Sequence, residues 1–187
     1  IAETFAKQGA NVLFTYSSSS DLAKEIEKEL SSEGVMVRGY KSDASSFEDC
    51  QKLVDEITQE FDVVDILINN AGTTHLPAPM ETISENEFDK VFKVNCKSVY
   101  LMAKEFVPHF KQNKSGVILN VASTAGVSPR PNLNWYNASK GWMILASKTM
   151  AVELAPFGIR VNVINPVAGE TPLLKSFLGE DTPEMRA

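Results

Sequence analysis

The sequence predicts an α/β protein built on a doubly wound parallel sheet with helices on both faces. Three observations predict it. Strand-like apolar runs alternate with helix-like segments, the connections between them are short, and most of the runs are apolar at every position, as strands covered on both faces are.

The elements follow in order. Ile1 to Gln8 reads as a helix stopped at Gly9, and Asn11 to Thr15 as a short strand. Leu22, Ile26 and Leu30 recur every four residues, which predicts an amphipathic helix ending before Gly34. Val35 to Gly39 is the next strand, and Phe47, Cys50, Val54, Ile57 and Phe61 mark the next helix. Val63 to Ile68 is an apolar run suited to a strand buried on both faces. Ser84 and Glu87 form a capping box that opens a long helix through about Phe110. Gly116 to Val121 is another buried strand, followed by a helix from about Trp135 to Leu154 and a strand over Ile159 to Ile164. No linker interrupts the pattern, so residues 1–187 read as one domain.

Composition narrows the function classes. A chain of 187 residues can bury a sizeable core, and its 43% hydrophobic and 22% charged residues are those of an ordinary globular protein. A net charge of −6 leaves no basic stripe to neutralise phosphates, so nucleic acid is not expected as a partner. An anionic cofactor stays open, because backbone N–H groups at a helix start can hold a pyrophosphate. No apolar run is long enough to span a bilayer, so no membrane partner is expected. Cys50 and Cys96 make no spacing motif and fall at apolar positions of helices, which predicts free thiols in a reducing compartment, the cytoplasm. The first residue is Ile1 and already reads as helical, so the chain is expected to begin inside a domain.

In parallel sheets ligands bind beyond the carboxyl ends of the strands, so the segments after the strands are where chemistry is sought. Asn69-Asn70-Ala71-Gly72 follows one strand; a plain turn meets the same description. Asn95 lies in the middle of the apolar stripe Phe88, Phe92, Val99, Met102 and Phe106, and a buried amide must find partners or cost roughly 1–3 kcal/mol. Either a structural tie or a functional role explains it. Tyr136 and Lys140 stand four residues apart near a helix start and share a face. A cation beside a phenol favours the phenolate, and a phenol so tuned can give a proton to a forming alkoxide or take one from an alcohol. A solvated surface pair has the same spacing. Ser123, after the strand ending at Val121, is placed to bond a substrate oxygen, or to cap its own loop.

Asn69-Asn70-Ala71-Gly72, Asn95, Ser123, Tyr136 and Lys140, in this order and at these separations, resemble the signature of the short-chain dehydrogenases/reductases, over essentially the whole chain. The resemblance implies a Rossmann-like fold and an enzyme that moves a hydride between a nicotinamide cofactor and a carbonyl or alcohol. It casts Tyr136 as general acid/base, Ser123 as the group steadying the substrate oxygen, and Lys140 as lowering the Tyr136 pKa and holding the nicotinamide ribose. Asn95 would hold a water in a proton relay. Asn69, Ala71 and Gly72 would border the cofactor, Asp43 would contact adenine, and Pro166, Gly169 and Thr171 would face the nicotinamide carboxamide. No metal is implied. The family's usual Gly after the proline is Val167 here, and its Gly-rich turn before Ile1 and its last strand after Ala187 are not in the sequence, so the fold is expected to be incomplete at both ends.

Family members that prefer NAD carry an acidic residue at the end of the strand matching Asn11 to Thr15. Tyr16 stands there, followed by Ser17-Ser18-Ser19-Ser20, which resembles the NADP-using reductases, including those acting on 3-oxoacyl thioesters. NADP(H) is therefore expected ahead of NAD(H). The loop from Thr124 to Trp135 offers a partly apolar wall with Arg130 as its one anion contact. The alternatives are a sugar dehydrogenase of the same family, a non-catalytic nucleotide-sensing relative, and an inactive truncated product. Tyr100, Trp142, Met143 and Met150 exceed what one sheet face needs, and by resemblance the 84–110 and 135–154 helices would pair copies into a homodimer or homotetramer.

Overall fold

The structure is a computed structural model, and it describes residues 1–31, 34–167, 169 and 174–178. The chain divides into two compact units, Ile1–Ile57 and Thr58–Ala187. Its strands pair in two parallel sheets, one of two strands and one of three, where the sequence reading expects a single sheet.

The first unit contains α1 (Ala2–Lys7), β1 (Val12–Tyr16), α2 (Ser20–Leu30) and β2 (Val37–Lys41), and most of α3 (Phe47–Glu60). β1 and β2 run parallel in a register from Val12↔Val37 to Tyr16↔Lys41. Ala6, Leu30 and Val37 form the core, with Val12, Phe14, Ile26 and Val35 packed on it. Two expectations are corrected here. Leu22 is 55% exposed, because the buried stripe of α2 runs through Ala23, Ile26 and Leu30. β2 begins two residues later than Val35, since Val12 N–H donates to the Met36 carbonyl (2.8 Å) and the ladder with β1 starts only beyond it.

The second unit contains β3 (Ile66–Asn69), α4 (Glu85–Phe92), α5 (Ser98–Asn113), β4 (Gly116–Val121), α6 (Asn134–Leu154), β5 (Ile159–Ile164) and α7 (Leu174–Leu178). The strands lie in the order β3-β4-β5, all parallel, which places the unit in the α/β class that the sequence predicts. Gly116, Ile118 and Asn120 of β4 are buried while Val117, Leu119 and Val121 are half-buried, so the faces differ in cover. β3 is shorter than the apolar run: Val63 is 51% exposed, and the Val64 N–H donates to the His109 ring instead of to a strand.

The capping box forms as read, with Ser84 Oγ accepting from Glu87 N–H and the Glu87 carboxylate accepting from Ser84 N–H. The helix it opens is not uniform. Between α4 and α5, Lys93–Lys97 is a π-helical turn, which fits one more residue into the turn than an α-helix holds. Val99, Ala122 and Met143 form the core beyond it, with Met150 packed against them. Met143 and Met150 are thus inward residues, and the outward apolar face is carried by Tyr100, Trp142, Leu145 and Val152. Among the described residues no helix is long and apolar enough to cross a membrane.

Candidate active site

Four of the expected residues meet at the carboxyl end of β4. Past Val121 the chain stays tied to the neighbouring strand end: Ala122 N–H donates to the Ile164 carbonyl (2.9 Å) and Thr124 N–H to the Pro166 carbonyl (3.2 Å). Ser123 then caps a short 3₁₀ turn, Thr124–Gly126, its Oγ accepting from Ala125 N–H at 3.1 Å. Gly126 lies directly on α6; a Cβ there would stand 2.7 Å from the Lys140 carbonyl carbon and 2.8 Å from Gly141 N. Only a residue without a side chain allows that approach, and it brings the Ser123 hydroxyl to the Tyr136 phenol, with which it hydrogen-bonds.

Tyr136 is 4% exposed, packed with Ala125 and Leu133, and its ring lies 5.0 Å from that of Phe177. Burial raises its pKa above the ordinary phenol value; the Ser123 hydrogen bond and the charge of Arg130 pull the other way without reversing it. The expected lowering by Lys140 is not what the geometry gives. The Lys140 ammonium turns to the Val121 carbonyl (2.9 Å) and stands 5.9 Å from the centre of the Tyr136 ring. Lys140 is itself 4% exposed, and burial brings its pKa down to about 8. The same environment pushes the Cys96 thiol up to about 11, with the Lys140 charge opposing the rise.

Asn95 sits in the π turn and is fully buried. Its amide donates to the Thr73 carbonyl (2.9 Å) and to Ser139 Oγ (2.9 Å), and its Oδ1 accepts from Thr73 N–H (2.8 Å). Both N–H bonds are spent, which fixes the orientation of the carboxamide, while Oδ1 keeps a lone pair. Gly72 leaves the space in front: a Cβ there would lie 3.4 Å from Lys140 Nζ and 3.7 Å from Asn95 Oδ1. Asn95, Gly72 and Lys140 therefore face one point.

Asn69 has a different task. Its Nδ2 donates to Asn120 Oδ1 (2.8 Å), Asn120 Nδ2 to Ser147 Oγ (2.8 Å), and Ser147 Oγ to the Met143 carbonyl (2.7 Å), a buried polar chain from β3 through β4 into α6. Asn120, Ser139 and Ser147 were not singled out by sequence reasoning. The signal was there: Asn120 interrupts an apolar run, and Ser139, Met143 and Ser147 recur every four residues on one helix face. Ala71 is exposed at the strand end. Pro166 is placed by the Thr124 bond, Val167 is 69% exposed, and next to Pro166 the buried Asn165 Oδ1 has no partner among the described residues. Gly169 is exposed, and a Cβ there would meet nothing within 4 Å, so no close approach calls for glycine. Thr171 lies outside the described residues.

Three expected residues belong to the first unit. Tyr16 ends β1, and the following Ser17 is exposed. Ser19, at the start of α2, makes no side-chain capping bond. The register also brings Lys41 beside Tyr16, a cation that sequence reasoning missed because only strand pairing reveals it. Asp43 accepts from Ser45 N–H (2.9 Å) and Ser45 Oγ (2.7 Å) through Oδ1, which holds its carboxyl below the usual range and leaves Oδ2 to accept.

The family model described as short chain dehydrogenase matches residues 1–181. The chain is 46% identical over 149 residues to the 4-formylbenzenesulfonate dehydrogenase TsaC1/TsaC2 of Comamonas testosteroni, a match that covers 79% of this chain and 59% of that protein. It is similar to the crystal structure of 3-ketoacyl-(acyl-carrier-protein) reductase from Brucella melitensis complexed with NADH, with 44% identity, a TM-score of 0.88, and 94% and 72% of the two chains covered. It is also similar to a gluconate 5-dehydrogenase from Burkholderia cenocepacia J2315 in complex with NADP and tartrate, with 25% identity, a TM-score of 0.89, and 98% and 71% covered. The chain thus spans less than two thirds of the length of the Comamonas relative.

Proposed function

The chain belongs to the short-chain dehydrogenase family, and from that membership we propose that the protein moves a hydride between a nicotinamide dinucleotide and a carbonyl or alcohol substrate. The observation that carries the reading is the hydrogen bond between the Ser123 hydroxyl and the Tyr136 phenol, with Lys140 one helical turn behind it. Two hydroxyl groups converging at a strand end offer a single oxygen two hydrogen bonds. The residues also fit the cofactor: Lys140 uses one of its three N–H bonds on Val121, and Gly72 keeps the space before it clear, so a ribose hydroxyl can be met there.

When bound, the nicotinamide supplies or accepts the hydride. Burial keeps Tyr136 protonated at neutral pH, which suits it to give a proton to the oxygen of a carbonyl being reduced. The phenolate left behind is stabilised by the Ser123 hydrogen bond and the charge of Arg130. In the oxidative direction the same phenolate takes the proton of the alcohol. Asn95 Oδ1, held by Thr73, faces the Lys140 ammonium and offers an acceptor on the path by which the site regains its proton.

Tyr16 in place of a carboxylate, the Ser17–Ser19 hydroxyls and the neighbouring Lys41 support NADP(H) ahead of NAD(H). The test is the carbonyl-dependent loss of reduced-nicotinamide absorbance in the natural protein. NADPH is expected to give a kcat/KM about tenfold above that with NADH, and Tyr16→Asp to reverse the order by repelling the 2′-phosphate. No carbonyl-dependent oxidation with either nucleotide would remove the oxidoreductase reading; a native preference for NADH would remove only the reading of Tyr16.

The outward residues of α5 and α6 support a second copy of the chain as partner, in a homodimer or homotetramer. Tyr100, Trp142, Leu145 and Val152 are 55%, 40%, 67% and 78% exposed. Light scattering is expected to give a multiple of the chain mass, and Leu145→Glu with Val152→Glu to give the monomer; a native monomer at micromolar concentration would dismiss the pairing. The two free thiols, Cys50 and Cys96, are buried and fit a cytoplasmic protein.

A further inference from the structure

Beside the phenol stands a cation whose place hydride transfer does not by itself require. Arg130 lies on the loop between the Ser123 turn and α6, flanked by Pro129 and Pro131, whose rings fix their own φ angles. The loop is fastened from two sides. The buried Asn137 amide donates to the Arg130 carbonyl at 2.8 Å, and Ala78 N–H donates to the carbonyl of Asn132 at 3.0 Å. Asn132 makes the turn in the left-handed region, at φ 62. Arg130 therefore springs from a set point rather than a free loop tip.

Its charge has no partner of its own. Lys7, Lys52 and Lys93 pair with carboxylates four residues away, whereas among the described residues no carboxylate pairs with Arg130. The charge does reach the Tyr136 phenol. Between the phenol and the loop the lining is apolar, with Leu133 and Phe177 packed around Tyr136. A substrate whose oxygen meets Ser123 and Tyr136 has this wall for its body and an uncommitted guanidinium near its end.

We propose that Arg130 is a specificity-determining residue that holds a terminal carboxylate, or a like oxyanion, on an otherwise apolar carbonyl or alcohol substrate. The proposal rests on the oxidoreductase reading above. A guanidinium meets a carboxylate with two parallel N–H bonds, and a charge-assisted pair of that kind discriminates by about tenfold or more against a neutral group of the same shape.

The substrates that test it are 4-carboxybenzaldehyde and its neutral near-isostere 4-formylbenzamide, assayed with NADPH in the natural protein. The expected kcat/KM ratio is about ten or more in favour of the carboxylate, carried by KM, and narrower at high salt. Arg130→Gln should bring the ratio near one, and Arg130→Lys should restore part of it, as a point charge without the fork. A native ratio near one, or a ratio that Arg130→Gln leaves unchanged, overturns the proposal while leaving hydride transfer standing. Calorimetric titration with benzoate separates the two readings when neither aldehyde turns over. Tighter binding to the native protein than to Arg130→Gln keeps the anion site, and equal binding ends it.

Discussion

Tyr136→Phe is expected to lower turnover by about a hundredfold or more while leaving the fold intact. The phenyl ring keeps its contacts with Ala125, Leu133 and Phe177, so the cluster loses no volume. What goes is the hydroxyl, and with it both the proton and the bond to Ser123. The loss should appear in kcat more than in KM, because the ring that lines the site remains. Unfolding curves of the two proteins should nearly coincide. A variant that keeps near-normal turnover would take Tyr136 out of the reaction.

Lys140→Met is expected to separate activity from stability. Turnover should again fall by about a hundredfold, because the ammonium at the Gly72 opening is gone. Stability should move the other way. The native Lys140 loses its proton near pH 8, against an ordinary value of 10.5. Between these values the unfolded chain holds a proton that the folded one has released, so native stability rises with pH across that window. Below pH 8 both states are charged and the buried ammonium exacts its whole cost. The methionine variant should therefore be the more stable below pH 8, on the order of 2 kcal/mol after allowing for the lost bond to Val121. The gap should close as the pH approaches 10.5. Denaturant unfolding from pH 6 to 10 measures it. A variant less stable at pH 7, with a difference that does not change with pH, would mean that burial does not depress this lysine.

The outer elements and the inner strands were legible to different degrees. β4 and β5 begin and end where the sequence places them, because apolar runs in a paired interior leave little choice of boundary. β2 and β3 do not, because their ends are set by a partner's register rather than by their own composition. Leu22 misled because a four-residue repeat drifts off a helix face of 3.6 residues per turn, and Ala23, which carries little apolar signal, took its place. Tyr136, Lys140, Ser123 and Asn95 could be found as a set. Their wiring could not. That Lys140 turns to Val121, that Ser139 anchors Asn95, and that Lys41 neighbours Tyr16 are facts of distance between segments far apart in sequence.

The extra residue in the Lys93–Lys97 turn rotates everything after it by about 100°. That one offset lets Asn95 reach Thr73 and Ser139 from the same helix that turns Tyr100 outward. Heredity must then treat the two as a single character. A lineage that deleted the extra residue would lose the aim of the amide and the outward aromatic in one event, and no later point substitution could return them separately. Proton handling and the outer face of this helix are yoked by one codon.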